Sequence, residues 1–533
     1  MDFRFAALGS LCLAGVSLSQ TADIDSQHRR LRADLDFLTS GLLAGRLSLS
    51  PEAEIAARYI AADFARSGLQ PASGSSYLQE FPLIAYRSDP EERVLTLTRG
   101  RVTKQFPRTE IGGGFKNEVR INAPVVFAGY GISAPEYGYD DYANIDVTGK
   151  IVLVFDHEPQ EDDARSIFNG TGHTIHAGRA VKVANARRHG AVAVLVASEP
   201  LRRHAGLLEP PARGTNQAQT LRASAPPQSI DDAGQIPAFS VGDNALGELL
   251  AAAGAKPAEL QRGIDTTLRP RSASLPDTTV ELRSKNAEER RGISFNAAGV
   301  MEGSDPALKR ETILITAHYD HLGVRNGQVY PGANDNASGT VAVMELARLF
   351  AASNKRPKRS VLFMIFGSEE ELMLGSFYYT AHPLRPLAGT KAVLNLDMIG
   401  RDEAHIPQSE GVLQIPADTT NGLNLVGAYY SPDLLAIIER ENRKVGLALD
   451  TKFDRDHLLN ALFRCDHLPF LVAGVPAVWL FGGFHPGYHE PSDTVEALNF
   501  PKMQKVIRLA YQVATEVADA ATGPNFRTKD REK

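Results

Sequence analysis

Residues 358–370 read KRSVLFMIFGSEE. Their centre, VLFMIF at 361–366, is an unbroken apolar run, and glycine, serine and two glutamates follow it. Such a run is typical of a strand that is buried on both faces. The same pattern, an apolar run that leads into a polar turn, occurs in ETILITAHYD at 311–320 and KAVLNLDMIG at 391–400. An amphipathic helix, GTVAVMELARLFAAS at 339–353, separates two of these runs, and VPAVWLFGG at 475–483 is a late strand. The alternation predicts an α/β fold with a mixed, largely parallel sheet covered by helices.

Acidic and imidazole side chains follow these strands or lie in the polar turns between them. Ligands bind outside the carboxyl ends of the strands in open α/β sheets, and hard and borderline cations accept histidine nitrogen and carboxylate oxygen. Two histidines and three carboxylates suffice for two metal ions if one carboxylate bridges them. The candidates are AHYDHLG (His318, Asp320, His321), GANDNASG (Asp335), FGSEEELMLGS (Glu369, Glu370, Glu371), NLDMIGR (Asp397) and GYHEPSDT (Tyr488, His489).

Taken singly, each of these residues also fits a plainer role. A histidine or aspartate after a strand is usually a turn residue, and Asp335 is in position to cap the helix that follows it. Three consecutive glutamates are usually a solvated charge run. The metal interpretation is favoured because carboxylates at the ends of strongly apolar strands are costly to leave unpaired.

With these five segments in this order, the chain resembles the M28 zinc metallopeptidases, exopeptidases that include bacterial aminopeptidases and glutamate carboxypeptidase. GYGISAPEYGYDDYANIDVTGKIVLV at 129–154 resembles the protease-associated (PA) domain that is inserted in many members. The resemblance implies two Zn²⁺ ions as cofactors and a peptide as substrate. It implies metal ligands at five positions, with His318 and Asp397 on one zinc, Glu370 and His489 on the other, and Asp335 as the bridge.

The resemblance also implies roles for three further residues. Glu369 is the expected general base, which takes a proton from a metal-bound water and passes it to the leaving amine. Asp320 is expected to orient the imidazole of His318. Tyr488 is a candidate oxyanion donor, with packing in a loop as the alternative.

Some neighbouring residues fit the resemblance less well. Leu372 occupies a position where the family often has glycine, so we expect a different local turn and a different pocket rim. RCDHLPF at 464–470 matches a family segment that lines the substrate pocket. For His321, Asp466 and His467 a structural role is favoured over a substrate-side one, and Cys465 is expected to be a small buried residue.

The remaining composition narrows the class of protein. The chain has 533 residues and a formal charge of −6, which argues against a nucleic-acid binder. Its two cysteines exclude a disulfide scaffold. Arg4 and the short apolar run after it indicate a cleavable signal, hence a secreted or periplasmic protein without stable membrane insertion. The expected organisation is a signal peptide at 1–20, a catalytic domain at 21–118 and 276–525, an inserted β-rich PA domain at 119–275 and a charged tail at 526–533.

The leading functional expectation is a di-zinc aminopeptidase that removes residues from peptide N-termini. A carboxypeptidase that acts on acidic C-termini is an alternative, for which Arg401 and Arg464 would hold the substrate carboxylate. A glutaminyl cyclase and a non-catalytic, receptor-like binding protein of the same fold are further alternatives. Residue preference and oligomeric state stay open.

Overall fold

A computed structural model describes residues 25–202, 227–232 and 234–527. The predicted signal peptide at 1–20 and residues 528–533 of the predicted tail lie outside the described residues. At the start of that tail, the ring of Phe526 stacks on Tyr430 and the backbone N–H of Arg527 donates to the Tyr430 carbonyl at 2.7 Å.

The centre of the molecule is a ten-stranded mixed sheet. Its four central strands, β1 (Thr312–His318), β2 (Ser360–Phe366), β3 (Thr390–Asp397) and β4 (Ala477–Phe481), are parallel and lie in the order β2-β1-β3-β4. The α/β fold class is therefore confirmed, with these four parallel strands at the centre of the sheet and a further parallel pair at one edge. Antiparallel pairing joins the flanking strands to this centre; they are Gln70–Pro71, Leu78–Ser88, Gln228–Ile230 and Asn286–Met301 on the β2 side, and Gly422–Val426 with Ala448–Asp450 on the β4 side.

Helices cover both faces of this sheet. The helix Pro51–Arg66 begins after Ser50, whose hydroxyl accepts the N–H of Ala53 at 3.1 Å, and Pro51 occupies the first turn. This helix covers one face of the sheet together with four others: a helix over residues 25–38, Gly339–Ala352, Pro432–Asn442 and Phe500–Asp519. The shorter helices Leu374–Ala381 and Leu468–Val472 cover the other face.

A second, eight-stranded sheet forms the inserted domain. The sheet extends beyond both predicted limits of 119–275. Its edge hairpin, Val94–Arg99 with Val102–Gln105, lies before residue 119. Its strand Ala273–Ser284, which pairs with Val94–Arg99, continues past residue 275. Among the residues that the structure describes, three α-helices belong to this domain: Arg179–Arg188, Asp243–Leu250 and Pro257–Thr267. The other strands of the sheet are Val94–Arg99, Val102–Gln105, Ile111–Gly112, Val119–Phe127, Ile151–Phe155, Ala193–Ala197 and Ala238–Val241.

Two short hairpins complete the strands, Ser133–Ala134 with Tyr139–Asp140 and Val324–Arg325 with Gln328–Val329. Within the described ranges, none of the helices combines the length and the apolar composition that crossing a bilayer requires.

The close approach of Gly339 to β3 generates a stability prediction. A Cβ at Gly339 would lie 2.1 Å from the carbonyl oxygen of Leu396, so Gly339→Ala is expected to destabilise the protein by about 2 kcal/mol. Gly247→Ala is the control, because Gly247 lies in a helix with nothing within 4 Å of its Cβ, and a gain of up to about 1 kcal/mol is expected there. Urea unfolding measures both; equal stability of the two variants would contradict the packing described here.

Candidate metal centre

The five predicted metal ligands meet at the carboxyl edge of the central strands. His318 ends β1 and Asp397 ends β3, while Glu370 follows β2 by four residues. Asp335 lies in the turn ahead of the helix Gly339–Ala352, and His489 lies in the loop after β4. All five side chains are buried, so the structure brings together the set that was expected from the sequence.

Asp335 lies between the two halves of this cluster. Its Oδ1 is 3.5 Å from His318 Nε2, which is also 3.4 Å from Asp397 Oδ2. Its Oδ2 is 3.0 Å from His489 Nε2, which is also 3.3 Å from Glu370 Oε1. The two carboxylate oxygens of Asp335 thus face two different sets of donors, which is the arrangement of a bridging ligand.

The donor spacing fits zinc. Ligand atoms around a tetrahedral zinc ion with bonds of about 2.0–2.1 Å lie about 3.3 Å apart. The separations within each set, 3.4 and 3.5 Å around His318 and 3.0 and 3.3 Å around His489, are close to this value. Asp397 Oδ1 is buried and makes no hydrogen bond with the described residues, which leaves an oxygen for a cation to satisfy.

The charges in this cluster perturb one another strongly. Burial lowers the pKa of His318, but Glu369 and Asp397 raise it, and the net pKa lies well above the usual value. Burial raises the pKa of Glu369 well above its usual range, although the nearby His318 opposes the shift. The Glu369 carboxylate lies 3.7 Å from His318 Nε2, next to the proposed ligands.

Two further aspartates hold the ligand-bearing loops through backbone N–H groups. The Asp320 carboxylate accepts the N–H groups of Glu369 at 2.9 Å and Glu370 at 3.2 Å. Asp493 accepts those of Asn334 at 2.9 Å and Asp335 at 3.0 Å. Toward His318, the backbone carbonyl of Asp320 is 3.2 Å from Nδ1 and its carboxylate 3.8 Å, so the carbonyl is the nearer acceptor.

Arg46, a buried arginine of the N-terminal segment, connects two of these loops through hydrogen bonds to their backbone carbonyls. The Arg46 guanidinium donates to the carbonyls of Tyr319 at 2.6 Å, Pro331 at 2.8 Å and Gly332 at 3.0 Å. Burial lowers the pKa of Arg46 to about 10, and Asp320 and Asp335 act in the opposite direction. Arg46 therefore supplies positive charge beside the acidic cluster and positions the turns that precede His321 and Asp335.

His321 belongs to this site, although no metal role was predicted for it. Its Nδ1 lies 2.8 Å from Glu370 Oε1 and 4.0 Å from Asp335 Oδ2, and its ring is fully buried. His321, Asp335 and Glu370 have donor atoms close enough together to share a metal ion. The position of His321 in the same polar turn as His318 and Asp320 was the signal in the sequence.

The segment 464–470 supports the cluster from the side of Asp397. The Cys465 thiol is buried as expected and donates to Asp397 Oδ2 at 2.8 Å. Asp466 accepts a hydrogen bond from the Ser376 hydroxyl at 2.5 Å, and His467 is fully buried near Trp479, with a ring-centroid distance of 5.7 Å. Burial lowers the pKa of His467 to about 3. These positions fit the structural role that the sequence favoured for Asp466 and His467.

A cleft opens onto the cluster and is lined by apolar side chains. Its walls combine Met373, Met398, Phe463, Trp479 and Phe484 with the carboxylates of the cluster. Such a combination of apolar walls and a few polar groups is typical of a small-molecule or peptide-side-chain site.

Three residues at this cleft were singled out by the sequence. Leu372 is 73% exposed at the rim and has φ +70°, so leucine adopts the left-handed conformation that glycine adopts without strain. The Tyr488 ring stacks on His489 with centroids 3.9 Å apart. Arg464 lines the cleft, and its Nε donates to the Leu459 carbonyl at 2.7 Å. Arg401 is not among the lining residues, and its nearest acidic contact is Asp493 at 3.8 Å.

Comparison with known proteins adds two domain assignments. The model of peptidase family M28 matches residues 296–514, and the PA domain model matches residues 121–250.

Curated relatives are similar over part of the chain. Aminopeptidase YwaD of Bacillus subtilis is 28% identical over 202 residues, which cover 37% of this chain and 38% of YwaD. The probable lipoprotein aminopeptidase LpqL of Mycobacterium tuberculosis is 27% identical over 248 residues, with coverages of 42% and 44%. The chain thus spans less than half the length of these two relatives. The solved aminopeptidase from Aneurinibacillus sp. strain AM-1 is 22% identical with a TM-score of 0.45, covering 92% of this chain and 94% of that one.

The position of Asp335 between the two donor sets yields a prediction about metal content. Because Asp335 faces both sets, Asp335→Ala is expected to lower the zinc content by two ions per chain relative to the unmodified protein. Glu371→Gln is the control, since Glu371 lines a different cavity. Elemental analysis after gel filtration measures the content; a loss of one ion or none in Asp335→Ala would contradict the bridge.

Proposed function

Since residues 296–514 are a peptidase family M28 domain and a PA domain precedes it at 121–250, we propose that the chain is an exported di-zinc aminopeptidase. The observation that carries this proposal is the position of Asp335, with one carboxylate oxygen toward His318 and the other toward His489. Zinc held there by the five ligands would activate a water and polarise the scissile carbonyl.

Glu369 is the proposed general base. Its carboxylate lines the cleft beside the ligand cluster, and its backbone is held by Asp320. It takes the proton from the attacking water and delivers it to the leaving amine. Tyr488, which also lines the cleft, is proposed to donate a hydrogen bond to the developing oxyanion.

The lining of the cleft favours the N-terminus of a peptide as the bound end. Among the carboxylates that line the cleft, Glu369 is not one of the five proposed zinc ligands, so its negative charge is left to attract a substrate ammonium group. Arg464 is the cation that a carboxypeptidase would use, but its guanidinium is already engaged with the Leu459 carbonyl and lies 5.8 Å from the Phe484 ring centroid. YwaD and LpqL are both named as aminopeptidases, which supports the same choice.

Export is part of the proposal and rests on the N-terminal sequence. Arg4 and the apolar run after it have the form of a signal peptide. The name of the relative LpqL, a probable lipoprotein aminopeptidase, is in keeping with an exported protein.

Glu369→Gln separates proton transfer from metal binding. The amide retains the shape of the carboxylate but accepts no proton, so kcat is expected to fall roughly 10²–10⁴-fold while the zinc content stays that of the unmodified protein. Glu371→Gln, in the same run of glutamates, is expected to keep full activity. Steady-state assays with an aminoacyl reporter measure the change, and full activity in Glu369→Gln would rule out the assigned base.

A matched pair of peptides tests the direction of cleavage. Peptides with a free α-amino group are expected to lose their first residue, and the same peptides with an acetylated N-terminus are expected to remain intact. Mass spectrometry of the products distinguishes the alternatives. Release of C-terminal residues from blocked peptides would show a carboxypeptidase, and loss of ammonia from an N-terminal glutamine peptide would show a cyclase; either result overturns the proposal.

A further inference from the structure

A second group of metal-binding side chains lies in the inserted domain, away from the cluster at the edge of the central sheet. It occupies the irregular segment between the strand Ile151–Phe155 and the helix Arg179–Arg188. His173 Nε2 is 2.7 Å from Glu161 Oε1 and 3.4 Å from His157 Nδ1, and His157 Nδ1 is 3.3 Å from the same glutamate oxygen. One carboxylate oxygen and two imidazole nitrogens therefore converge on one point.

Two of the three separations between the donor atoms, 3.3 and 3.4 Å, match the spacing of ligands around a tetrahedral zinc ion, and the third, 2.7 Å, is shorter. A circle through them has a radius of about 1.8 Å, so a point about 2.0–2.1 Å from each atom exists just above their plane. Zinc bonds to histidine nitrogen and carboxylate oxygen have this length, and two histidines with one glutamate are a recurrent zinc ligand set. An ion at that point would lie within bonding distance of all three donor atoms.

The surroundings of the three residues suit an ion with an open coordination position. Glu161 and His173 are buried, whereas the His157 side chain is 19% exposed and gives access from solvent. Arg202 lies near the other oxygen of Glu161, with its Nε 3.8 Å from Oε2, so Oε1 is the oxygen that faces the histidines. Burial lowers the pKa of His173, which favours the neutral imidazole that a metal requires.

This segment also connects the inserted domain to the wall of the catalytic cleft. The Asn169 amide donates to the Asp454 carbonyl at 2.7 Å, and His457 Nδ1 lies 2.7 Å from the Thr171 carbonyl oxygen. The His173 ring packs 5.7 Å from that of Phe463, which lines the cleft. A contact that immobilises the His173 ring therefore also restricts the Phe463 ring that packs against it.

We propose that His157, Glu161 and His173 bind a divalent cation, zinc by the chemistry of the donors, which orders the segment of the inserted domain that contacts the catalytic domain beside the cleft. This ion is additional to the two proposed at the catalytic cluster. Its binding does not depend on whether the chain hydrolyses peptides.

Zinc stoichiometry tests the proposal. Each protein is equilibrated with excess Zn²⁺, passed through gel filtration and analysed for zinc per chain. His157→Gln and His173→Gln are each expected to hold one ion fewer than the unmodified protein, while Asp335→Ala retains the ion of the inserted domain. His189→Gln is the control, since His189 is an exposed histidine of the same domain that stacks on Tyr142. Equal zinc content in His157→Gln and His189→Gln would overturn the proposal.

A measurement on the unmodified protein keeps the test independent of folding defects in the variants. Crystals grown with Zn²⁺ are expected to show an anomalous peak at the zinc edge within bonding distance of His157 Nδ1, Glu161 Oε1 and His173 Nε2. Absence of that peak, with zinc present at the catalytic cluster, would reject this site alone. Absence of zinc at the catalytic cluster, with a peak here, would instead reject the proposed di-zinc function.

Discussion

The structure depends on the concentration of negative charge at one buried edge of its central sheet. Asp335, Glu369, Glu370 and Asp397 lie together there, and the His318 and His489 rings lie between them. Removing a carboxylate from water costs several kcal/mol unless a cation or hydrogen bonds compensate. We propose divalent cations, held by the donor sets on either side of Asp335, as that compensation.

The remaining architecture fixes these charges in place. The carboxylates of Asp320 and Asp493 accept hydrogen bonds from backbone N–H groups of the two acidic loops. Arg46, which is 273 residues from Tyr319 and 286 residues from Gly332 in sequence, donates hydrogen bonds to the carbonyls of both. Ligands positioned in this way need little rearrangement when metal binds, which favours precise coordination. The inserted domain packs against the same region through its contacts with the loop that carries Phe463.

Much of this site could be predicted from sequence because parallel strands align their carboxyl ends. A largely parallel sheet was expected to place the residues after its strands at one edge, and the resemblance to the M28 peptidases implied that His318 and Asp397 share a zinc; the structure makes β1 and β3 neighbours. His321 and Arg46 could not be assigned in the same way, since their roles depend on loop conformation and on a contact of long sequence separation. The extent of the inserted sheet was underestimated for a similar reason, because its strand Val94–Arg99 pairs with Ala273–Ser284, a contact between segments far apart in sequence.

The central claim is that Asp335 bridges two zinc ions. Anomalous diffraction at the zinc edge from crystals of the unmodified protein tests it most directly. The account predicts two peaks about 3.5–4 Å apart, one beside His318 and Asp397 and the other beside Glu370 and His489, with one Asp335 oxygen toward each. A single peak in this cluster at saturating zinc, or peaks that Asp335 does not contact, would contradict it.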